Sequence, residues 1–328
     1  MEGGTPVKTI VIEQAGGPEV LQPSNVDPPM PAEEEVLVNV AAAGLNFIDT
    51  YQRGGLYPMD FPFTPGVEGA GVVAAVGAGV EGVEIGARVA WSGVIGSYAG
   101  QCVVPAARAV PVPDEIDLET AAAVLLQGLT AHYLATDTFP LSQSHRCLIH
   151  AGAGGVGLLL TQIAAMKGAR VITTVGSAEK ADLSRHAGAD DVIVYTETDF
   201  KEAVEDLVGQ KSLDVVYDGV GAATFDKSID LLRPRGMMVT FGNASGPVPD
   251  ISPLMLSEKG SLFLTRPTLA HYVQTRDELL GRASDLFAWI AAGDLDVRID
   301  ARYLLEDAAE AHRALESRKT TGKVLIIP

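Results

Sequence analysis

The sequence His150-Ala-Gly-Ala-Gly-Gly-Val-Gly157 contains three glycines in the spacing G-x-G-x-x-G. It follows an apolar stretch and begins an amphipathic one, so the glycines are expected in a turn between a strand and a helix. The first glycine permits a tight bend, the second lets the backbone approach a pyrophosphate, and the third allows close helix–strand packing. Free N–H groups at the helix N-terminus attract phosphate. We therefore predict that a dinucleotide binds to Gly152, Ala153, Gly154, Gly155, Val156 and Gly157.

Strands and helices alternate outward from this turn. The first helix is expected to bury one apolar face, formed by Val156, Leu159, Ile163 and Met166. Buried strands are predicted at residues 147–150, 170–175, 191–195, 213–217, 236–241 and 261–266. Such alternation requires right-handed crossovers and a parallel, doubly wound sheet of the Rossmann type. The predicted fold class is α/β.

The sequence on either side of this sheet has a different character. Residues up to about 113 are rich in Val, Gly and Pro, with short apolar runs separated by turns, which is typical of a compact β-rich domain. After Pro267, the sequence indicates a helix from a capping box at Thr275 to Gly293, and then strand, helix and strand. Because six strands already complete the middle domain, we assign this tail to the first domain. The predicted boundaries are 1–126 with 268–328 for the β-rich domain and 127–267 for the dinucleotide-binding domain.

The end of the second Rossmann strand indicates which dinucleotide binds. Sites specific for NAD place an acid there for the ribose 2′-hydroxyl, whereas this chain has Thr174-Val-Gly-Ser177. Small residues leave room for a 2′-phosphate, and Lys180 is available to supply positive charge. Glu179 is explained as a first-turn acid in a helix capped by Ser177. The sequence therefore predicts NADPH rather than NADH.

Composition excludes several classes of protein and partner. The formal net charge is −18, with 24 Lys plus Arg against 42 Asp plus Glu, which disfavours nucleic acid and anionic lipid as partners. The longest apolar stretch, around residues 155–166, is shorter than the ~20 residues of a membrane span. Residues 1–5 contain an acid and no apolar run, unlike a secretory signal. Two cysteines, Cys102 and Cys147, are too few for a disulfide framework, so we expect a cytoplasmic protein with both thiols in its core.

Motifs across nearly the whole chain resemble one family. They are Gly16-Gly-Pro-Glu-Val-Leu21, Gly44-Leu-Asn-Phe-Ile-Asp-Thr-Tyr51, Gly54-Gly-Leu-Tyr57, Thr64-Pro-Gly-Val-Glu-Gly-Ala-Gly71, Gln127-Gly-Leu-Thr-Ala131, the glycine turn, Val239-Thr-Phe-Gly-Asn243, Leu264-Thr-Arg-Pro267 and Glu316-Ser-Arg318. The chain resembles the quinone oxidoreductases of the zeta-crystallin-like branch of the medium-chain dehydrogenase/reductase superfamily. The resemblance implies a GroES-like catalytic domain formed from both ends of the chain, a Rossmann domain between them, and a homodimer.

The resemblance also implies roles for particular residues. The catalytic cleft near the nicotinamide is expected to be lined by Asn46, Tyr51 and Tyr57. Thr130 is expected along the cofactor with residues 154–156. The adenosine phosphate is expected to be surrounded by Gly176, Ser177, Lys180, Tyr195 and Arg318. The nicotinamide side is expected to be flanked by Phe241, Gly242, Asn243, Leu264, Thr265 and Arg266.

The zinc-dependent alcohol dehydrogenases of the same superfamily provide a contrast. They place a cysteine where this chain has Asn46, a histidine where it has Val67, and four further cysteines in a structural lobe. Zinc catalysis requires such sulfur, nitrogen or oxygen ligands. We therefore predict that the chain has no metal site and that its chemistry does not depend on zinc.

The predicted activity is reduction of a quinone by hydride transfer from C4 of the nicotinamide of NADPH. Protonation of the reduced acceptor is left open between Tyr51 and solvent. One alternative is an enoyl or alkenal reductase of the same superfamily, which reduces activated carbon–carbon double bonds. A second alternative is a crystallin-like protein that binds NADPH without turnover. The sequence does not distinguish the physiological acceptor.

Overall fold

The structure, a computed structural model, describes residues 5–328 and separates them into two compact units. The terminal unit contains the residues up to Leu129 together with Val273–Pro328. The central unit is Thr130–Tyr272. Residues 1–4, which form most of the segment judged unlike a secretory signal, lie outside the described residues.

The strands are β1 (Val7–Val11), β2 (Gln22–Val26), β3 (Glu35–Leu45), β4 (Glu68–Val76), β5 (Arg88–Ser92), β6 (Gln101–Pro105), β7 (Val110–Pro111), β8 (Arg146–Ile149), β9 (Arg170–Val175), β10 (Asp191–Val194), β11 (Leu213–Asp218), β12 (Leu232–Thr240), β13 (Phe263–Thr265), β14 (Ile299–Leu304) and β15 (Lys323–Ile327). The α-helices are α1 (Phe47–Arg53), α2 (Leu118–Tyr133), α3 (Gly155–Met166), α4 (Ala178–His186), α5 (Phe200–Val208), α6 (Phe225–Asp230), α7 (Pro253–Glu258), α8 (Arg276–Ala292) and α9 (Ala308–Glu316).

The main sheet of the terminal unit has the strand order β14-β15-β3-β4-β5-β7, and β6 also pairs with β3. Its neighbouring strands are antiparallel except β14 and β15, which are parallel. The apolar residues at the start of β3 pack with Trp91, while those at its end pack with Ile326. Val324 lies opposite Leu45, and this register brings the start of β15 beside the residues that follow β3.

The sheet of the central unit has the order β10-β9-β8-β11-β12-β13, and all its pairs are parallel. Counted within the unit, this is the order 3-2-1-4-5-6 of doubly wound dinucleotide-binding sheets. Parallel neighbours need long crossover connections, which α3 to α7 supply between successive strands. The predicted α/β class and Rossmann sheet are confirmed. The strand order reverses between β8 and β11, where sheets of this type bind their ligands.

One predicted helix face extends too far. α3 buries Leu159 and Ile163 as expected, but Met166 is 42% exposed. Met166 is the last residue of the helix, where the chain leaves the sheet to turn towards β9. Both cysteines are buried, as predicted. Within residues 5–328, no helix has the length and apolar character needed to cross a membrane.

Candidate functional site

The glycine turn joins β8 to α3 at the carboxyl edge of the central sheet. Gly152 lies so close to β9 that a Cβ atom there would be 2.6 Å from Cβ of Thr173. A Cβ at Gly157 would be 2.2 Å from the carbonyl oxygen of Ala151, so any side chain there would force the turn to shift. At Gly154 the nearest atom would be 3.2 Å away. Within the turn, Gly152 makes this close approach to β9, and the residue with a left-handed conformation is Ala151, with φ 54°.

His150, at the start of this turn, forms hydrogen bonds with two neighbouring elements. Its Nδ1 lies 2.8 Å from Oγ1 of Thr174, and its Nε2 lies 2.8 Å from Oγ of Ser228. Burial lowers the pKa of His150, while the charge of Asp218 opposes this shift. A neutral imidazole that joins β8 to β9 and to α6 is a structural element rather than a general acid.

The acid-free end of β9 forms a second cluster. The hydroxyl of Ser177 accepts a hydrogen bond from the backbone N–H of Lys180 (3.3 Å) and caps α4, as predicted. A Cβ at Gly176 would be 2.9 Å from the hydroxyl oxygen of Tyr195, whose half-exposed ring follows β10. Four of the five residues predicted around an adenosine phosphate therefore lie at one edge. The fifth, Arg318, belongs to the terminal unit and follows α9 with φ 57°.

The residues predicted to flank the nicotinamide cluster at the ends of β12 and β13. A Cβ at Gly242 would be 2.3 Å from the carbonyl oxygen of Gly219, so the loop passes closely over the end of β11. Arg266 donates from Nη1 to the carbonyl oxygen of Gly242 (3.2 Å). With the amide of Asn243 turned so that its oxygen faces Arg266, the orientation that satisfies both of its polar atoms, this oxygen accepts from Nη2 (3.1 Å). Leu264 and Thr265 lie in β13 beside this bridge, and Phe241 follows β12. Thr130 lies instead in α2, where it is buried.

In the terminal unit, Asn46 belongs to a buried ring of three side chains. Lys323 Nζ donates to Oδ1 of Asn46 (2.8 Å) and to Oε2 of Glu68. Asn46 Nδ2 donates to the same Glu68 oxygen (2.8 Å) and to the carbonyl oxygen of Gly44 (3.0 Å). Sequence reasoning missed Glu68 and Lys323 as site residues. The sequence feature that could have revealed them is a single charged residue next to small or apolar residues.

Tyr51 and Tyr57 lie next to one another and are half-buried. Their ring centroids are 5.4 Å apart, with an interplanar angle of 67°. The N–H of Tyr57 donates to the carbonyl oxygen of Tyr51 (3.1 Å) across a turn in which Gly55 has φ 81°. The loop after α1 therefore holds both rings together.

A chain of buried polar groups lies behind α1. Tyr98 donates to Oδ2 of Asp49 (3.0 Å), and its oxygen lies 3.3 Å from Nε2 of His312. Arg53 donates to Nδ1 of His312 (2.9 Å) and forms an ion pair with Glu316 (2.6 Å). Because arginine only donates, the remaining imidazole proton is on Nε2, facing Tyr98. Burial, with a smaller contribution from Arg53, lowers the pKa of His312 to about 3, so the ring is neutral.

Asp49 is the buried acid at the end of this chain. Its Oδ2 also accepts from the backbone N–H of Asn46 (2.8 Å), whereas its Oδ1 has no hydrogen-bond partner among the described residues. Burial raises the pKa of Asp49 to about 7, against the opposing effects of its hydrogen bonds and of Lys323. The start of α1 is thus held by a carboxyl group that changes its charge near neutral pH.

Comparisons with known proteins agree with this architecture. The alcohol dehydrogenase GroES-like domain matches residues 32–114, and the zinc-binding dehydrogenase family matches residues 155–285. A quinone oxidoreductase of Salmonella typhimurium is 47% identical, with 97% of this chain and 99% of the relative covered. The chain belongs to the quinone oxidoreductase family. The confirmed family also accounts for the GroES-like and Rossmann domains that the resemblance implied.

Two further comparisons concern the ligands of relatives. The crystal structure of Escherichia coli quinone oxidoreductase complexed with NADPH has a TM-score of 0.96 and 44% identity, and covers 98% of this chain and 100% of that one. A 2-haloacrylate reductase of a Burkholderia species is 38% identical, with 98% of this chain and 99% of the relative covered. The match to the zinc-binding family includes neither Asn46 nor Val67. Among residues 5–328, no group of three or more His, Cys, Asp or Glu side chains is arranged to hold a metal ion.

Proposed function

We propose that this protein is an NADPH-dependent quinone reductase that works without zinc. The observation that carries the proposal is the near-full-length match to NADPH-bound quinone oxidoreductase, combined with a β9 end that contains no acid. An acid there would accept the ribose hydroxyls of NADH and repel a 2′-phosphate.

The central unit has the features that NADPH requires. The crowding at Gly152 and Gly157 keeps the turn free of side chains, so the backbone of residues 154–156 is available to a pyrophosphate at the start of α3. Ser177, Lys180 and Tyr195 provide hydroxyl and ammonium groups for an adenosine phosphate. The bridge between Arg266 and Asn243 stiffens the loop proposed for the nicotinamide side. Contacts of Thr130 and Arg318 with the cofactor remain predictions.

NADPH, when bound, supplies the hydride from C4 of its nicotinamide, so the chain must orient the acceptor and exclude water. We assign the orientation of the acceptor to Tyr51 and Tyr57, whose rings meet edge to face and together offer an angled apolar wall with two hydroxyl groups. The proton of the reduced acceptor comes from Tyr51 or from solvent. Asn46 has both amide hydrogens committed inside the protein, so we assign it to the support of α1.

The residues at the N-terminus of α1 are consistent with catalysis that does not use zinc. The position where zinc-dependent relatives have a cysteine is Asn46, and its amide oxygen accepts from the ammonium of Lys323. The same oxygen also accepts from Nε2 of Gln127 (3.4 Å), so both of its lone pairs face donors within the protein rather than a metal ion. We therefore expect turnover to be unaffected by a chelator.

The experiment that tests the proposal is a screen of acceptors for NADPH oxidation, run with and without EDTA. We expect rapid turnover of 1,4-benzoquinone with NADPH, and slower turnover with NADH. Preferential reduction of 2-enoyl thioesters or alkenals would instead support the double-bond reductase, the alternative that the similarity to 2-haloacrylate reductase favours. NADPH binding without turnover of any acceptor would support the crystallin-like alternative.

We also propose that the protein is a cytoplasmic homodimer. β13 is an edge strand of the central sheet with unpaired backbone groups, and Phe263 on it is 57% exposed. Pairing with a second copy satisfies such an edge and covers its apolar side chains. Light scattering of the wild type and of Phe263→Asp, which is expected to be monomeric, tests the assembly. Two unpaired buried cysteines agree with a reducing compartment.

A further inference from the structure

The buried ion pair between Lys323 and Glu68 is unusual for its position. The side chains are 1% and 0% exposed, and they lie at the starts of β15 and β4. Two charges withdrawn from water are tolerated only with good geometry and with hydrogen bonds that satisfy their remaining donors and acceptors. The fold is also constrained around the pair, because a Cβ at Gly44 would be 2.4 Å from Oε2 of Glu68 and 2.6 Å from Cε of Lys323.

The pair closes a ring through Asn46. The ammonium of Lys323 requires the oxygen of the Asn46 amide to face it, and the carboxylate of Glu68 requires the nitrogen to face it. The second oxygen of Glu68 accepts from the backbone N–H of Leu126 (2.5 Å). The orientation of the amide is therefore determined by two opposite charges, each held by a different strand.

Asn46 transmits this constraint to α1. It immediately precedes the helix, and its backbone N–H donates to the carboxyl group of Asp49 in the first turn. Tyr51 lies in the next turn, and its carbonyl oxygen holds the loop that carries Tyr57. A displaced Asn46 would therefore rotate or loosen the helix that presents both rings.

We propose that Lys323 is a positioning residue for Tyr51, acting through Asn46 and the first turn of α1. This inference rests on the proposed function, in which Tyr51 orients the acceptor. Lys323 supplies a fixed internal cation. Its removal leaves Glu68 without a counter-charge and leaves the oxygen of Asn46 only the longer contact from Nε2 of Gln127 (3.4 Å).

The test uses a double variant that removes both charges, Lys323→Met with Glu68→Gln. Its matched control is Arg302→Met with Glu119→Gln, which removes an exposed ion pair of the same unit (2.6 Å; 51% and 38% exposed). Each protein is labelled with 3-fluorotyrosine, and the Tyr51 resonance is assigned with Tyr51→Phe. We expect the Tyr51 resonance to shift or broaden and kcat for the quinone to fall at least tenfold, while the dissociation constant of NADPH stays within twofold. The control is expected to match the wild type.

The proposal is overturned if the folded double variant keeps both the wild-type Tyr51 resonance and the wild-type kcat. If the double variant does not fold, Asn46→Ser replaces it, because that change opens the ring and leaves both charges in place; an unaltered Tyr51 resonance and kcat there also overturn the proposal. A changed resonance with unchanged kcat supports the positioning of Tyr51 and contradicts its role in the proposed function.

Discussion

The two units form their sites in opposite ways. The central unit uses backbone N–H groups, glycines and hydroxyls. One of its surface ion pairs, Lys201 with Asp230, is about one-third exposed. The terminal unit buries full charges beside the N-terminus of α1, where the side chains of Lys323 and Glu68 are almost wholly enclosed. A phosphate site needs dipoles that face solvent. A site that must keep aromatic rings in a fixed orientation needs a rigid support beneath them.

This difference implies that the two sites respond to different kinds of substitution. In the terminal unit, loss of a single charge leaves its partner buried and uncompensated, which is costly. In the central unit, a side chain in the wrong place obstructs the backbone, and the damage depends on volume rather than on charge. Substitutions and pH can therefore separate the two kinds of site.

The largest effect is expected for Lys323→Met. The isolated carboxylate of Glu68 should destabilise the terminal unit by about 3–5 kcal/mol. The exposed pair of Arg302 with Glu119 provides the control, since Arg302→Met should cost about 1 kcal/mol or less. Urea unfolding measures both. Equal costs for the two substitutions would show that burial does not distinguish the pairs.

The next effect is the pH dependence conferred by Asp49. The pKa of this acid is about 7 in the folded protein against 3.8 ordinarily, so the folded chain binds more protons between these values. Its contribution to stability is therefore complete below pH 4 and is lost as the pH rises to about 7. Relative to Asp49→Asn, the wild type should lose on the order of 4 kcal/mol between pH 4 and pH 8.

Comparison with the variant isolates Asp49, because the low pKa of His312 acts in the opposite direction. Thermal melts of the two proteins across this pH range measure the difference. A constant difference in stability would show that Asp49 does not exchange its proton in this interval.

A moderate effect is expected in the glycine turn. A methyl group at Gly157 would strike the carbonyl oxygen of Ala151 at 2.2 Å, so Gly157→Ala should cost about 1–3 kcal/mol and weaken NADPH binding. Gly281 in α8 meets nothing within 4 Å, so Gly281→Ala should stabilise by about 0.5–1 kcal/mol. Thermal melts and NADPH titration compare the two. If Gly157→Ala changed neither the stability nor the affinity for NADPH, the turn would have to relax at little cost.

The smallest effect in energy is the change of cofactor preference. Charge-assisted hydrogen bonds to a 2′-phosphate should favour NADPH at least tenfold, which is about 1.4 kcal/mol. Ser177→Asp should reverse this preference, because the new carboxylate repels phosphate and accepts ribose hydroxyls. Ser252→Asp is the control, since Ser252 also caps a helix of the central unit. The preference is measured as kcat/KM with each cofactor. Equal values for NADPH and NADH in the wild type would contradict the proposed 2′-phosphate site.

Predictions from the sequence were most accurate where neighbouring residues carry the signal. The glycine spacing, the cap at Ser177 and the strands around them each depend on a few consecutive positions. Details within the turn came only from the structure: the left-handed residue is Ala151, and the approach of β9 leaves no room for a side chain at Gly152. Met166 was misplaced because periodicity does not show where a helix extends beyond its sheet.

Sequence alone was enough for the α/β class and the Rossmann sheet, because periodicity and glycine spacing are local properties that the backbone expresses directly. The family came instead from the resemblance of motifs along nearly the whole chain. The support of α1 became visible only in the folded chain. Lys323 meets Asn46 across 277 positions and Glu68 across 255, and the pairing of β15 with β3 brings them together. A charge at the start of an apolar strand normally faces solvent, so its burial beside an opposite charge depends on strand register, which no short stretch of sequence encodes.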